Sequence, residues 1–439
     1  VTMGTLRRPP DPREDIIHPP RPSDATDLLD AAVRGEGLVP AFQPVVSLPD
    51  ETVVGYEALA RWPSLHHPSP ADVFAHAAAT GRLDMLDHAC IRSAAHAALE
   101  SPSAAGMLLL LNSEPVAAGM EVPPESAVAE AARTFTLMFE LTERGLLRNP
   151  PALLHKVAAL RSCGVRIALD DIGAHPDSLA LLDIISPDVM KIDLGLVQRQ
   201  PDQLQTRIIA AVIAHHERTG AVILAEGIET DEHLEQALAY GATLGQGYRF
   251  GRPGPLATAP DPAILPRFAR STERRDTLVD DRDRALTKTP FEIATAAHSA
   301  RTVRKRTLIE MSRHIERLAA AADSAPIVLF TLQSQDNFRG ETRHNITMLA
   351  KRSPLVVAFA VNAPRDAAHR VQWVDIDAGD RMALEWTIVV LGPDTAAALV
   401  ARELEPPGQG VENDRRFAAV ITFDRDRVAA AARSLLNRA

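Results

Sequence analysis

The sequence predicts an α/β chain: a TIM-like (β/α)8 barrel with an antiparallel first strand over about residues 26–256, then a second, smaller α/β domain over 289–439. Three observations carry that expectation. Eight short apolar runs recur between about Ser23 and Pro255, most ending on a polar residue and most followed by a stretch of helical character. Only Ser47–Glu51 separates the first run from the second, too short for a parallel crossover of about a dozen residues, so those two strands must form an antiparallel hairpin. Beyond Gly254 the composition breaks into a Pro/Ala stretch, Pro255–Pro266, and a densely charged one, Arg267–Lys288, before a new α/β pattern begins near Thr289.

The eight runs are Ala41–Val46, Thr52–Leu59, Met107–Leu111, Thr136–Phe139, Arg166–Leu169, Asp188–Ile192, Ala221–Ala225 and a weaker Thr243–Phe250. The hairpin sets the start of the first strand, near Gln43, beside the end of the second, near Glu57, so both reach one rim. Residues 1–25 are rich in Pro, Arg and Asp without an apolar core segment, and read as a disordered tail and not a signal peptide. Residues 257–288 read as a charged linker. In the second domain the pattern predicts a long amphipathic helix over Ala300–Ala322 and strands at Pro326–Leu332, Leu355–Val361, Leu384–Leu391 and Ala418–Thr422. Helices are expected at Thr342–Lys351, Thr395–Glu403 and Asp426–Asn437.

At 439 residues and 46% apolar content the chain is long enough for two or three cores, built mainly from aliphatic residues since aromatics are 4%. A net charge of −10 argues against non-specific coating of nucleic acid. The longest apolar runs have strand length, so no membrane span is expected. Two cysteines, Cys90 and Cys163, imply no disulfide framework and read as ordinary buried thiols in a reducing cytoplasm. Gly245 and Gly247 followed by Gly251 miss the dinucleotide-binding spacing.

In such barrels chemistry collects at the C-terminal strand ends. The residues at those ends are Gln43, Glu57, Asn112, Glu140, Asp170 with Asp171, Lys191, Glu226 and Gln246, and Glu143 and Glu229 each follow a strand-end glutamate by three residues. Glu57, Glu140, Asp170, Asp171, Glu226 and Glu229 would then crowd one rim. Two bare carboxylates about 4 Å apart repel by roughly 4 kcal/mol at an effective dielectric near 20. One lysine cannot neutralise that cluster; divalent cations can. All candidate ligands are oxygens, which favours Mg²⁺, Mn²⁺ or Ca²⁺ over zinc. The Asp170–Asp171 pair suits two ions flanking an in-line displacement at phosphorus. Lys191 would orient the attacking water or neutralise the charge developing at phosphorus, and a carboxylate would take the water's proton.

These residues also resemble a known family. Tyr56-Glu57-Ala58-Leu59-Ala60-Arg61-Trp62 is similar to the defining motif of EAL domains, the cyclic-di-GMP phosphodiesterases. The likeness continues in order through Gln43-Pro44, Asn112-Ser113, Phe139-Glu140-Leu141-Thr142-Glu143, Leu169-Asp170-Asp171, Lys191-Ile192-Asp193, Ala225-Glu226-Gly227-Ile228-Glu229-Thr230 and Gln246-Gly247-Tyr248. The resemblance implies hydrolysis of one phosphodiester of cyclic-di-GMP to linear pGpG with two Mg²⁺ or Mn²⁺ ions. It implies metal ligation by Glu57, Asn112, Glu140, Asp170 and Asp171, with Asp170 bridging. Lys191 would contact the water, Glu226 would be the general base and Glu143 would brace the loop after Asp171. Arg61 would reach a substrate phosphate, Gln43 and Leu59 would line a guanine pocket, and Glu229 and Gln246 would complete the rim. A homodimer through the barrel is the family expectation.

One stretch departs from the family's Phe-Gly-x-Gly-Tyr-Ser-Ser-Leu: Ile172-Gly173-Ala174-His175-Pro176-Asp177-Ser178-Leu179. In the family this loop braces metal binding and contributes to the dimer interface, and Pro176 restricts its backbone. The departure motivates a second reading, a cyclic-di-GMP receptor that binds without cleaving. A purely structural partner would bind nothing. Residues 289–437 resemble the DICT domain, a sensory module, through Thr289-Pro290-Phe291-Glu292, Val390-Leu391-Gly392-Pro393 and Asp424-Arg425-Asp426.

Overall fold

The computed structural model describes residues 22–48, 50–101, 104–114, 122–142, 147, 149–174, 179–256, 288–296, 299–364, 370–404 and 414–439. Residues 1–21 and nearly all of the expected charged linker lie outside that set. A helix runs over Pro22–Val33, earlier than the expected end of the tail at residue 25.

Strands β1 (Val39–Ser47), β2 (Thr52–Arg61), β3 (Leu108–Ser113), β4 (Thr136–Thr142), β5 (Arg166–Ile172), β6 (Val189–Ile192), β7 (Val222–Ala225) and β8 (Leu244–Gly245) close into a barrel in sequence order. β1 pairs antiparallel with β2 in a register that sets Gln43 opposite Glu57, and antiparallel with β8, where Val46 meets Gly245. The pairs from β2 to β8 are parallel. The expected hairpin and barrel are therefore both present. The eighth run forms a strand over two residues only. A side-chain carbon on Gly247 would lie 2.1 Å from the Ile228 carbonyl oxygen, so the backbone there turns in against the preceding loop and leaves the sheet.

Two shells of apolar residues hold the barrel. Val45, Val54, Leu108, Leu110, Met138, Ala168, Val189, Leu224 and Leu244 form one buried cluster, a set drawn from all eight strands that fills the interior. The alternate residues, such as Leu109, Leu111, Leu137, Phe139, Ile167 and Leu169, pack outward against the helices. Gly55 is required where β2 meets β3: a Cβ there would come within 2.3 Å of Leu108 Cβ.

The second domain is a seven-stranded sheet made of β9 (Arg301–Arg304), β10 (Ile327–Ser334), β11 (Val356–Val361), β12 (Gln372–Asp375), β13 (Glu385–Leu391), β14 (Ala396–Glu403) and β15 (Arg416–Thr422), in the order β12-β11-β10-β13-β14-β15-β9. Segment 396–403 corrects the expected helix. Its three successive alanines favour a helix locally. Yet Ala397, Leu399 and Ala401 pack into one core while Ala398 and Val400 pack into the other, the period of a strand held between β13 and β15. The expected helix over Ala300–Ala322 begins at Lys305, because residues 301–304 pair with β15 as an edge strand.

Helices Lys305–Ala321 and Gly340–Leu349 cover one sheet face. Pro290–Thr295 and the last helix, Arg425–Leu436, cover the other. That last helix also packs on barrel helices Pro150–Ser162 and Leu179–Ile185, joining the two domains. Cys90 is half-buried and Cys163 exposed, so neither is the fully buried thiol expected. No described helix is long and apolar enough to cross a membrane.

Candidate active site

The rim cluster follows from the strand period. Two residues past the interior positions Leu110, Met138, Ala168, Val189, Leu224 and Leu244 come Asn112, Glu140, Asp170, Lys191, Glu226 and Gln246. Side chains two apart on a strand share a face, so each polar group stands one layer above the barrel's apolar filling. Gln43 reaches the rim from the opposite chain direction, two residues before Val45 and directly across from Glu57.

Asp170 and Asp171 are adjacent, and a regular strand would send them to opposite faces. β5 loses its regular register with β6 between Leu169 and Ile172, and Asp171 adopts a left-handed φ of 58°. That kink lets both carboxylates join Glu226 in a group whose ligand atoms all lie within 4.8 Å of one another. Strain of this kind concentrates at functional sites.

Lys191 is the hub. Its Nζ, 1% exposed, lies 2.8 Å from Glu140 Oε1 and from Glu226 Oε1, 3.1 Å from Asp170 Oδ1 and 3.6 Å from Glu57 Oε2. Burial disfavours its charge, but the four carboxylates outweigh that and push its pKa well above the ordinary lysine value. Burial also drives Glu140 well above the carboxylate range, reinforced by Glu57 and Asp170. Glu226 rises to about 8 through burial and the charges of Asp170 and Glu57, against the pull of Lys191. Glu57 goes the other way. Burial would raise it, yet Lys191, the Asn112 amide at 2.9 Å and the Gln246 amide at 2.7 Å hold it below its usual value.

Four carboxylates around one ammonium leave an excess of negative charge. Glu140 shows the consequence: it is fully buried, and beyond the Lys191 ammonium 2.8 Å from Oε1 its oxygens have no partner among the described residues. Buried, unsatisfied carboxylate oxygens beside the Asp170–Asp171–Glu226 group fit a site for hard divalent cations.

A cleft of about 290 Å³ starts at Glu57 and Asn112 and runs outward past Leu59 and Arg61 to Phe74. Arg61 lies at its side, where its guanidinium donates to the Ala60 carbonyl at 2.9 Å. Glu229 is exposed, its backbone N–H donating to His233 Nδ1, outside the buried cluster. Glu143 lies outside the described residues, as do residues 175–178 of the divergent loop.

Two residues not singled out in the sequence hold the turn just after Asn112, at Ser113 and Glu114. Asp87 accepts from Ser113 Oγ at 3.2 Å and from the Glu114 N–H at 2.9 Å, while Lys156 donates to the Glu114 carbonyl at 2.6 Å and stands 3.9 Å from Asp87. Asp87 was detectable as a carboxylate on the same helix stripe as Ile91, Ala94 and Ala98, all buried.

Residues 26–253 match the model of the EAL domain, slightly more than half of the chain. The chain belongs to the EAL-domain family. Residues 286–404 match the DICT family, described as a sensory domain in diguanylate cyclases and two-component systems. The EAL region is similar to cyclic di-GMP phosphodiesterase NbdA of Pseudomonas aeruginosa, with 31% identity over 56% of this chain and 32% of that protein. It is also similar to cyclic di-GMP phosphodiesterase RocR of the same organism, with 29% identity over 58% of this chain and 66% of that protein. For probable cyclic di-GMP phosphodiesterase PdeG of Escherichia coli, identity is 31% over 52% of this chain and 46% of that protein. The chain thus spans between about a third and two thirds of the length of these relatives.

Proposed function

We propose that this EAL-domain chain hydrolyses cyclic-di-GMP to linear pGpG with two divalent cations, Mg²⁺ or Mn²⁺, under control of its C-terminal domain. The observation that carries this reading is the Lys191 hub: one buried ammonium among Glu57, Glu140, Asp170 and Glu226, with more negative charge than it can balance. Glu57, Asn112, Glu140, Asp170 and Asp171 are the residues that would hold the cations. Bound there, divalent cations supply Lewis-acid stabilisation of charge on a phosphoryl oxygen.

The chain's own groups supply the rest. Glu226, a carboxylate 2.8 Å from Lys191 and grouped with the Asp170–Asp171 pair, is placed to take a proton from an attacking water. Lys191 orients that water, and Gln246 and Asn112 fix Glu57 by donating to its two oxygens. The cleft past Leu59 and Arg61, with Gln43 across from Glu57, receives the base and phosphate of the nucleotide. Relatives named as cyclic di-GMP phosphodiesterases support the substrate. A homodimer through the barrel is part of the proposal.

Regulation is supported by the domain junction. Arg425 and Arg433 of the last helix both engage Asp183 on barrel helix Leu179–Ile185, the element that follows β5 and its aspartate pair. Incubation of the purified chain with cyclic-di-GMP and Mg²⁺ or Mn²⁺, with pGpG followed by chromatography, tests the proposal. Turnover in either metal is the expected result. Saturable binding with no pGpG in either metal would replace the enzyme by the non-cleaving receptor that the altered loop first suggested.

A further inference from the structure

A second cavity, of about 280 Å³, lies in the C-terminal domain between helix Lys305–Ala321, strands β10 and β13, and the segment around 333–345. Its origin is legible in the helix. Leu308, Ile315 and Ala319 pack into the core beneath. The neighbouring row, Ile309, Ser312 and Glu316, carries a hydroxyl and a carboxyl where a filled core would carry larger apolar groups. The short Ser312 side chain leaves open the space over Phe330 and Trp386. Protein interiors are close-packed, so a space of this size lined by aromatic and polar groups has the character of a ligand site.

A second observation points the same way. Ser312 is 3% exposed, lines the cavity, and its Oγ has no hydrogen-bond partner among the described residues. Buried hydroxyls are nearly always partnered. The mouth carries charges of both signs. Arg313 is matched by Glu310 and Glu341. Arg339 stands exposed at the rim with no ion pair to a described carboxylate. Glu316, facing the cavity and bonded by the Asn345 amide, is shifted by burial towards its neutral form.

We infer that this cavity binds a small aromatic acid of one or two rings, its ring against Trp386 and Phe330, a polar ring atom at Ser312 Oγ and its carboxylate at Arg339. The site is separate from the barrel and does not depend on the proposed hydrolysis. It does have a physical connection to the barrel. Ile388 and Val390 of β13 belong to the core on the cavity side, while Val389 and Leu391 pack with Val428 and Leu435 of the helix that grips Asp183. A ligand in the cavity therefore bears on the strand that backs the inter-domain helix.

Titration of the full chain with indole-3-acetate and with neutral indole, by isothermal titration calorimetry and saturation-transfer NMR, tests the inference. The acid is expected to bind saturably and more tightly than indole. Ser312→Phe fills the cavity and is expected to abolish binding of both. Arg339→Ala, on the surface, should weaken the acid roughly tenfold and leave indole unchanged. Ser312→Ala keeps the space while removing the hydroxyl, and should weaken both several-fold with an unaltered melting profile, so the test stands even where Ser312→Phe fails to fold. No saturable binding of either compound at millimolar concentration overturns the inference, as does binding of the acid that Ser312→Ala and Arg339→Ala leave unchanged.

Discussion

Arg425 Nη1 donates to Asp183 Oδ2 at 2.6 Å, and through that bond the last helix of the C-terminal domain is tied to the barrel helix that follows the aspartate pair. The same guanidinium donates to the carbonyls of Gly392 and Pro393, both at 2.8 Å, so it is fixed from its own side as well. Asp183 is buried and is also met by Arg218, by His215 Nδ1 at 3.3 Å, and through its backbone carbonyl by Arg433 at 2.6 Å. Asp183→Ala would remove the carboxylate that Arg425 and His215 face, while Arg218 keeps Asp426 at 3.1 Å and Arg433 keeps the backbone carbonyl. Breaking a buried ion pair on one side costs roughly 3–5 kcal/mol. The expected outcome is a lower melting temperature and earlier proteolytic separation of the two domains. An unchanged protease pattern would show that the junction contributes little.

The pH dependence of that junction follows from the direction of the Asp183 shift. Burial would raise its pKa, but His215, Arg218 and Arg425 together hold it well below the usual carboxylate value. A depressed folded pKa means that the native state favours the carboxylate. Its stabilisation is full above the unfolded value of about 3.9 and is lost as pH falls towards the folded one. The melting-temperature gap between wild type and Asp183→Ala should thus be constant near neutrality and shrink below about pH 4. A gap that widens on acidification would contradict the assignment.

Lys191→Met removes the cation that the described residues place at the centre of the rim cluster. With Glu57, Glu140, Asp170 and Glu226 left to repel one another, the protein without metal should melt lower than wild type, and Mn²⁺ should raise its melting temperature by more than it raises that of wild type. Turnover should fall by roughly a hundredfold or more. Differential scanning fluorimetry with and without Mn²⁺ gives the stability readout independently of activity.

Much of this site was legible because the barrel repeats one rule on six of its strands. An apolar residue fills the interior, and the residue two further on reaches the rim, as in Met138 and Glu140 or Val189 and Lys191. The hairpin was equally readable, since five residues cannot carry a parallel crossover. Asp87 and Lys156 were not singled out, because their role depends on a turn more than 25 residues from Asp87 in sequence. Asp183 was not singled out either, because its partners Arg218, Arg425 and Arg433 come from two distant helices. Strand β14 was hidden by its alanines, whose local preference is overruled by pairing on both sides.

Glu226→Gln separates binding from chemistry. The amide keeps the size of the side chain, and the ammonium of Lys191 retains Glu140 and Asp170 as partners, so the barrel should fold and bind cyclic-di-GMP with little change. Loss of a positioned general base costs roughly 10²- to 10⁴-fold. The expected outcome is that loss in pGpG production under single-turnover conditions, with binding by calorimetry retained. Equal turnover by the variant would move the base to another group.

Gly55→Val tests the strand that carries Glu57, two residues before it. Gly55 pairs with Leu108 in the β2–β3 ladder, and a Cβ at residue 55 would sit 2.3 Å from Leu108 Cβ and 2.6 Å from its carbonyl oxygen. Backbone cannot yield as a flexible side chain tip does, so the two strands must separate. Overpacking of this kind costs roughly 1–3 kcal/mol. Separation of β2 from β3 also moves Glu57, two residues on, away from the Asn112 amide that holds it at 2.9 Å. The variant should therefore melt lower and also bind Mn²⁺ more weakly, the second effect being measurable by calorimetry at a temperature where the protein is still folded. Weakened stability with wild-type Mn²⁺ affinity would show that Glu57 is positioned by the rim contacts alone and not by the strand beneath it.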